Sequence, residues 1–243
     1  MPCGEVSGMR SSVPAGKKKT PGLSPAPMGT FRNVVALSGE LFDAIEVNAA
    51  RTGNHKRAAV RMSRLAEQAT PSGMSRAEAH MRAGEQWMLA DEPEEAAEEF
   101  REAMADAGPT LDDPRVGLAR AMFALGRSAD AEALLDQLKE SEARSVPRTC
   151  DLVAELLTEQ GDLSGALIWA TAGVDACLRG EDRAELQLLL RLRYRLRVDL
   201  GLDEDDYDKL LDNRKAGPAA GQLAVPVAVP SLVWPRRPAA RRA

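Results

Sequence analysis

Residues 77–109 read AEAHMRAGEQWMLADEPEEAAEEFREAMADAGP. Small and apolar residues recur at helical spacing on both sides of a break at Asp91, Glu92 and Pro93. The pattern predicts two antiparallel helices joined by a tight turn. Helix one covers about residues 76–89. Asp91 is suited to cap helix two, with Glu94 as its capping-box partner and Pro93 in the first turn, where a missing N–H costs nothing. Ala96, Phe100 and Ala103 form the inner stripe, and Gly108–Pro109 stops the helix. Gly84 is expected where the two helices of the hairpin cross closely.

Working outward, the same unit returns twice. Residues 112–145 carry Leu118, Ala119 and Met122, then Gly126, then Ser128 as a cap, then Ala131, Leu135 and Leu138. The third unit begins near Pro147 with Val153, Ala154 and Leu157, turns at Gly161–Asp162, and continues through Ala166, Ala170 and Gly173. Asp91, Gly126 and Gly161 are each 35 apart, and so are Ala96, Ala131 and Ala166. Two independent markers on one period define a repeat array rather than a chance run of alanines. Upstream, residues 39–72 form a degenerate hairpin through Leu41, Ile45 and Ala49, a break at Gly53–Asn54, then Ala58, Met62, Leu65 and Ala69. Downstream, a helix over about 182–200 and a short one over 204–212, capped by Asp203, end the array. Tyr194 and Val198 are expected to close its exposed end, as a stack of repeats needs atypical terminal elements.

Composition agrees with close-packed helices. The 243 residues are 44% hydrophobic but only 4% aromatic, a balance that disfavours sheets. The net charge of −5 is unevenly spread. Residues 1–33 hold five bases and one acid, residues 213–243 hold six bases and no acid, and the region between is strongly acidic. Both ends are rich in Pro, Gly, Ser or Ala without periodicity, so 1–33 and 213–243 are expected to be disordered basic tails flanking a helical domain over 34–212. Three cysteines without a C-x-x-C, no apolar run near the start and no stretch of bilayer length point to a cytoplasmic protein with no membrane partner.

The unit resembles the tetratricopeptide repeat (TPR), whose pattern is W-x2-L-G-x2-Y followed by A-x3-F, A and P. Ala83–Gly84 stand at its L-G pair, Trp87 at the Tyr, and Ala96, Phe100, Ala103 and Pro109 at the rest, while His80 replaces the Trp. The ending RLRYRLRVDLGLDEDDYD is also similar to a group of uncharacterised TPR proteins from high-GC bacteria. Some of those carry a SEC-C zinc motif, but here only Pro2–Cys3–Gly4 echoes it, and one thiolate cannot build a four-ligand site. The resemblance implies an all-α solenoid of three to four antiparallel hairpins.

Chemistry of the enzymatic kind leaves no trace in the sequence. His55 and His80 are 25 apart and outside any H-E-x-x-H, and phosphate-cradling and nucleophile-elbow glycine motifs are missing. Cys150 and Cys177 fall on inner helix faces, where a thiol is inert. The acids Asp203–Asp206 with Asp208 lack the Gly and Glu of a calcium loop, and favour a helix start instead. No enzyme activity, cofactor or metal is expected. The job is that of a scaffold or adaptor for a protein or peptide, with basic tails contacting nucleic acid as the alternative. Trp234, in LVWPRRP, has nothing obvious to pack against in its own segment; it is suited to dock back on the solenoid or to engage a partner.

The resemblance also places the binding face on the first helix of each repeat. Carried over by alignment, its residues are Met81, Glu85 and Met88, then Val116, Arg120 and Phe123, then Asp151 and Glu155. The Lys/Asn/Arg clamp of chaperone-binding members is missing, with Met81 and Glu85 at the first clamp pair, so a C-terminal carboxylate is not the expected ligand. Met81, Met88 and Phe123 are expected to be partly exposed on one concave face amid acids, suiting a helix or extended peptide with basic residues.

Overall fold

The computed structural model describes residues 36–68, 70–180 and 183–212. The two expected tails, with Cys3 and Trp234, lie outside them. The elements are α1 (Gly39–Thr52), α2 (His55–Gln68), α3 (Arg76–Leu89), α4 (Pro93–Asp106), α5 (Pro114–Ala124), α6 (Ser128–Glu140), α7 (Pro147–Gln160), α8 (Leu163–Gly180), α9 (Arg183–Asp199) and α10 (Asp206–Asp212). A 3-10 turn, Glu142–Ser145, separates α6 from α7, and a two-residue parallel bridge pairs Ala36–Leu37 with Thr70–Pro71. The architecture is an all-α, TPR-like solenoid of antiparallel hairpins. Odd-numbered helices lie side by side, and each even-numbered helix packs behind its own hairpin partner.

Prolines set several of the starts. Pro93, Pro114 and Pro147 open α4, α5 and α7, where proline's fixed φ is already helical and no donor is lost. Ser75 accepts from the Glu78 amide at 2.8 Å and Asp113 from the Arg115 amide at 3.0 Å. Each oxygen satisfies an amide that the first turn leaves without a carbonyl.

The turn marker is a helix stop rather than a helix start. Asp91, Gly126 and Gly161 all adopt left-handed backbone, with φ of 60°, 74° and 85°. After each, an amide reaches back to close the preceding helix: Glu92 to Trp87 at 3.1 Å, Arg127 to Met122 at 2.9 Å, Asp162 to Leu157 at 2.9 Å. This is the Schellman closure, which satisfies orphan carbonyls and selects Gly at the left-handed position. Asp91 therefore does not cap α4. The N-cap residue is Glu92, and it makes no side-chain cap bond. Ser128 is likewise the first residue of α6 rather than its cap. Asp205, not Asp203, caps α10, accepting from the Tyr207 amide at 3.0 Å. Ala107, ahead of Gly108, takes the left-handed position after α4, with φ 52°.

Packing of the leading hairpin depends on one aromatic ring. Phe100 of α4 is 2% exposed and lies between Gly84 of α3 and Gly117 of α5. A Cβ on Gly84 would sit 2.7 Å from the ring, and one on Gly117 2.6 Å. The glycines thus admit the ring where three helices meet. In the third hairpin Gly173 plays the same part, since a Cβ there would meet Cys150 and Leu189 at 2.8 Å.

His80, at the Trp position, is buried, with Nδ1 2.7 Å from Glu99 Oε2, linking α3 to α4. The main core runs from α2 to α9, with Trp169 buried inside it as a packing residue. The exposed end is closed differently from expectation. Tyr194 and Val198 stay exposed, and α10 supplies Tyr207, Leu210 and Leu211 against Val174, Cys177, Leu186, Leu189 and Leu190. The buried Arg193 guanidinium fixes α10, bonding Asp205 at 3.0 Å and Asp208 at 3.2 Å, with its cation 4.6 Å from the Tyr207 ring centre.

Candidate functional site

The face shared by the first helices carries an unusual density of carboxylates. α3 contributes Glu78 and Glu85, the turn before α5 contributes Asp112, and α7 contributes Asp151, Glu155 and Glu159. Basic partners are interleaved at fixed points. Arg82 binds Glu46 and Asp43 of α1 at 2.6 Å, and Arg148 binds Asp112 at 2.9 Å. Arg120 approaches Glu159 at 3.7 Å. Glu78 accepts from the Leu111 amide at 2.8 Å.

Glu85 differs from these. Among the described residues it makes no ion pair. Burial, reinforced by Asp112, Glu46 and Glu78, pushes its carboxyl up to about 7. Asp151 is pushed up to about 6 by burial and then by Glu155 and Glu185. Burial also raises Glu78 and Glu159. A desolvated carboxyl surrounded by like charge favours its protonated form until a cation arrives.

Five of the eight expected contact residues line one cavity: Met81, Glu85, Met88, Val116 and Arg120. Its volume is about 40 Å3, so it is a notch for a single small group rather than a pocket for a folded segment. Two positions differ from the expected exposed face. Met81 is 4% exposed and Val116 3% exposed, and both belong to the main core. They form the floor of the notch because α3 and α5 pack side by side, closing over residues that face each other. Met88 and Phe123 are half-buried, Phe123 packing against the core away from the notch. Asp151 is buried and Glu155 exposed, one turn apart on α7. Sequence alignment missed Asp112 and Leu152, which line the notch together with Phe100, Asp113 and Gly117. Asp112 stands beside a helix-opening Asp113–Pro114, where a capping role masks any other.

Other chemistry is sparse. Burial pushes the Cys150 thiol up to about 11, and its S–H donates to the Arg144 carbonyl at 3.1 Å. Among the described residues no group of three or more His, Cys, Asp or Glu is arranged to hold a metal ion, and no helix is long and apolar enough to cross a membrane. No curated protein and no solved structure matches the chain. The tetratricopeptide repeat family model matches residues 88–156, from the end of α3 into α7. Repeats of this family generally mediate protein–protein interactions, and all-helical arrays of them are typically non-catalytic scaffolds. The 35-residue spacing, the paired helices and the family match agree: residues 88–156 carry tetratricopeptide repeats, within an array of the same helical hairpins.

Proposed function

We propose that the protein is a non-enzymatic adaptor that binds a peptide or helix along the face of α3, α5 and α7, taking a basic side chain at Glu85. The observation that supports this is Glu85 itself, a carboxyl without an ion pair among the described residues, raised to about 7 beside the apolar notch of Met81, Met88 and Val116. A Lys or Arg placed there relieves the repulsion from Asp112, Glu46 and Glu78, while an aliphatic neighbour covers Met88. Asp151 and Glu155 extend the same preference toward α7, so a partner with spaced basic residues fits best. Complementary charge of this kind speeds encounter and fixes register.

The test is a peptide-library selection with the full-length protein, followed by binding isotherms on the recovered peptides. Recovered sequences should pair Lys or Arg with an apolar residue. Glu85→Gln and Met88→Ser should each weaken them by ~1–3 kcal/mol, the scale of an anchor residue. Peptides that bind both variants as tightly as the parent protein would remove this face as the site.

A further inference from the structure

A second cavity, of about 200 Å3, opens between α6 and α8 on the second helices of the repeats. Leu135, Leu157 and Trp169 form its apolar wall, and Ile168, 56% exposed, stands at its mouth. Apolar cavities of ~150 Å3 accept a benzene ring, so this one has room for an aromatic side chain. Its charged lining is Glu132, Asp136 and Asp162 with Lys139 and Arg144; Glu132 and Asp136, one turn apart on α6, make no ion pair among the described residues. An exposed isoleucine beside an open apolar cavity, with acids outnumbering bases three to two in its lining and two of them unpaired among the described residues, describes a seat for an aromatic residue followed by cations.

The chain contains that arrangement at residues 232–237, Leu-Val-Trp-Pro-Arg-Arg. We propose that Trp234 seats in the α6–α8 cavity of its own chain, with Arg236 and Arg237 beside Glu132 and Asp136. Reach is not limiting. α10 ends at Asp212 and packs on α8 at Val174 and Cys177, about 9–14 Å along that helix from Ile168 at ~1.5 Å per residue. The residues between Asp212 and Trp234 can span roughly 70 Å when extended. Tethering by a short linker also gives the segment an effective concentration on the order of millimolar, so weak docking is well populated. The seat lies on the second helices, so it leaves the α3–α5–α7 face open and stands independently of the peptide-binding proposal.

Trp234 can be followed in the full-length protein because Trp87 and Trp169 are 8% and 5% exposed and quench poorly. Subtracting the emission of Trp234→Phe from that of the parent isolates Trp234, and acrylamide reports its access to water. The expected result is blue-shifted emission with a quenching constant several-fold below that of a free peptide of residues 229–239. Ile168→Asp, at an exposed position, and separately the pair Glu132→Lys with Asp136→Lys, should restore peptide-like quenching with unchanged far-UV circular dichroism. Peptide-like quenching in the parent would overturn the proposal, as would protection that survives both sets of substitutions. Protection that disappears on dilution would place the side chain in a second copy and overturn the intramolecular seat.

Discussion

Replacing Gly84 by Ala sets two opposed effects against each other at one atom. Within a helix, Gly to Ala is worth about 1 kcal/mol in favour of folding. Here the new Cβ would stand 2.7 Å from Phe100 Cε1 and 2.9 Å from two further ring carbons, whereas carbon contacts are optimal near ~3.5–4.0 Å. The ring has little room to retreat toward α5, where the space is only what the missing Cβ of Gly117 leaves: a Cβ built there would come as close as 2.6 Å to the same ring carbons. Three ring carbons closer than 3.0 Å place the overpacking cost in the upper part of its usual range, about 2–3 kcal/mol, which outweighs the propensity gain and leaves a net loss of about 1–2 kcal/mol. For a domain of this size that lowers the thermal midpoint by roughly 2–8 °C. Urea unfolding of the full-length protein followed by circular dichroism measures it. Phe100→Leu removes the ring atoms that clash, so Gly84→Ala in that background should be neutral or stabilising, giving a coupling of about 1–3 kcal/mol in the double-mutant cycle. Equal or higher stability for Gly84→Ala alone, or the same loss in both backgrounds, would refute the idea that the ring is clamped between the two glycines.

Ala107, left-handed after α4, pays a Cβ penalty that glycine does not, so Ala107→Gly should raise stability by about 0.5–1 kcal/mol despite glycine's extra freedom when unfolded. Because Glu85 binds its proton more tightly in the folded state, its contribution is fully present below the unfolded value near ~4.3 and is lost as pH rises toward about 7. Glu85→Gln should therefore stabilise the protein by about 1–2 kcal/mol at pH 8 and do little at pH 4, as read by denaturant melts at each pH. Asp205 behaves oppositely: its hydrogen bonds from Arg193 hold it at about 2, so its contribution is fully present above the unfolded value near ~3.9 and is lost as pH falls from there through about 2. Arg193→Met should cost about 1–3 kcal/mol, because Asp208 loses its buried guanidinium but keeps Arg197 at 3.1 Å, and should expose the amides of α10 to hydrogen exchange before those of α3–α7.

Period and pairing were legible because they depend on local rules. Proline starts, helical stripes and glycines at fixed spacing are each written within a few residues, and α3 begins and ends where the pattern says. Asp91 was open to misassignment because aspartate suits both an N-cap and a left-handed stop. The glycines at 126 and 161, in the same register, carry the information that the position is a stop. Burial of Met81 and Val116 was not legible, since it arises from α3 and α5 closing against each other rather than from either helix alone. The raised Glu85 carboxyl depends on Glu46 and Asp112, which come from other segments of the chain and meet it only in the fold. At the C-terminal end, α9 has leucines around much of its circumference. Its periodicity therefore did not single out the face taken by α10, and Tyr194 and Val198 were left exposed.

The proposed adaptor role turns on Glu85, and the most direct measurement is a carbon-13 titration of its side-chain carboxyl in the full-length protein, alone and with a basic peptide recovered from the library selection. The free protein should titrate at about 7. Peptide should drive the midpoint back toward the ordinary value near ~4.3, releasing up to about half a proton per complex at pH 7. A free midpoint already at the ordinary value, or one that saturating peptide leaves unmoved, would contradict the role of Glu85 as the partner's basic-residue seat.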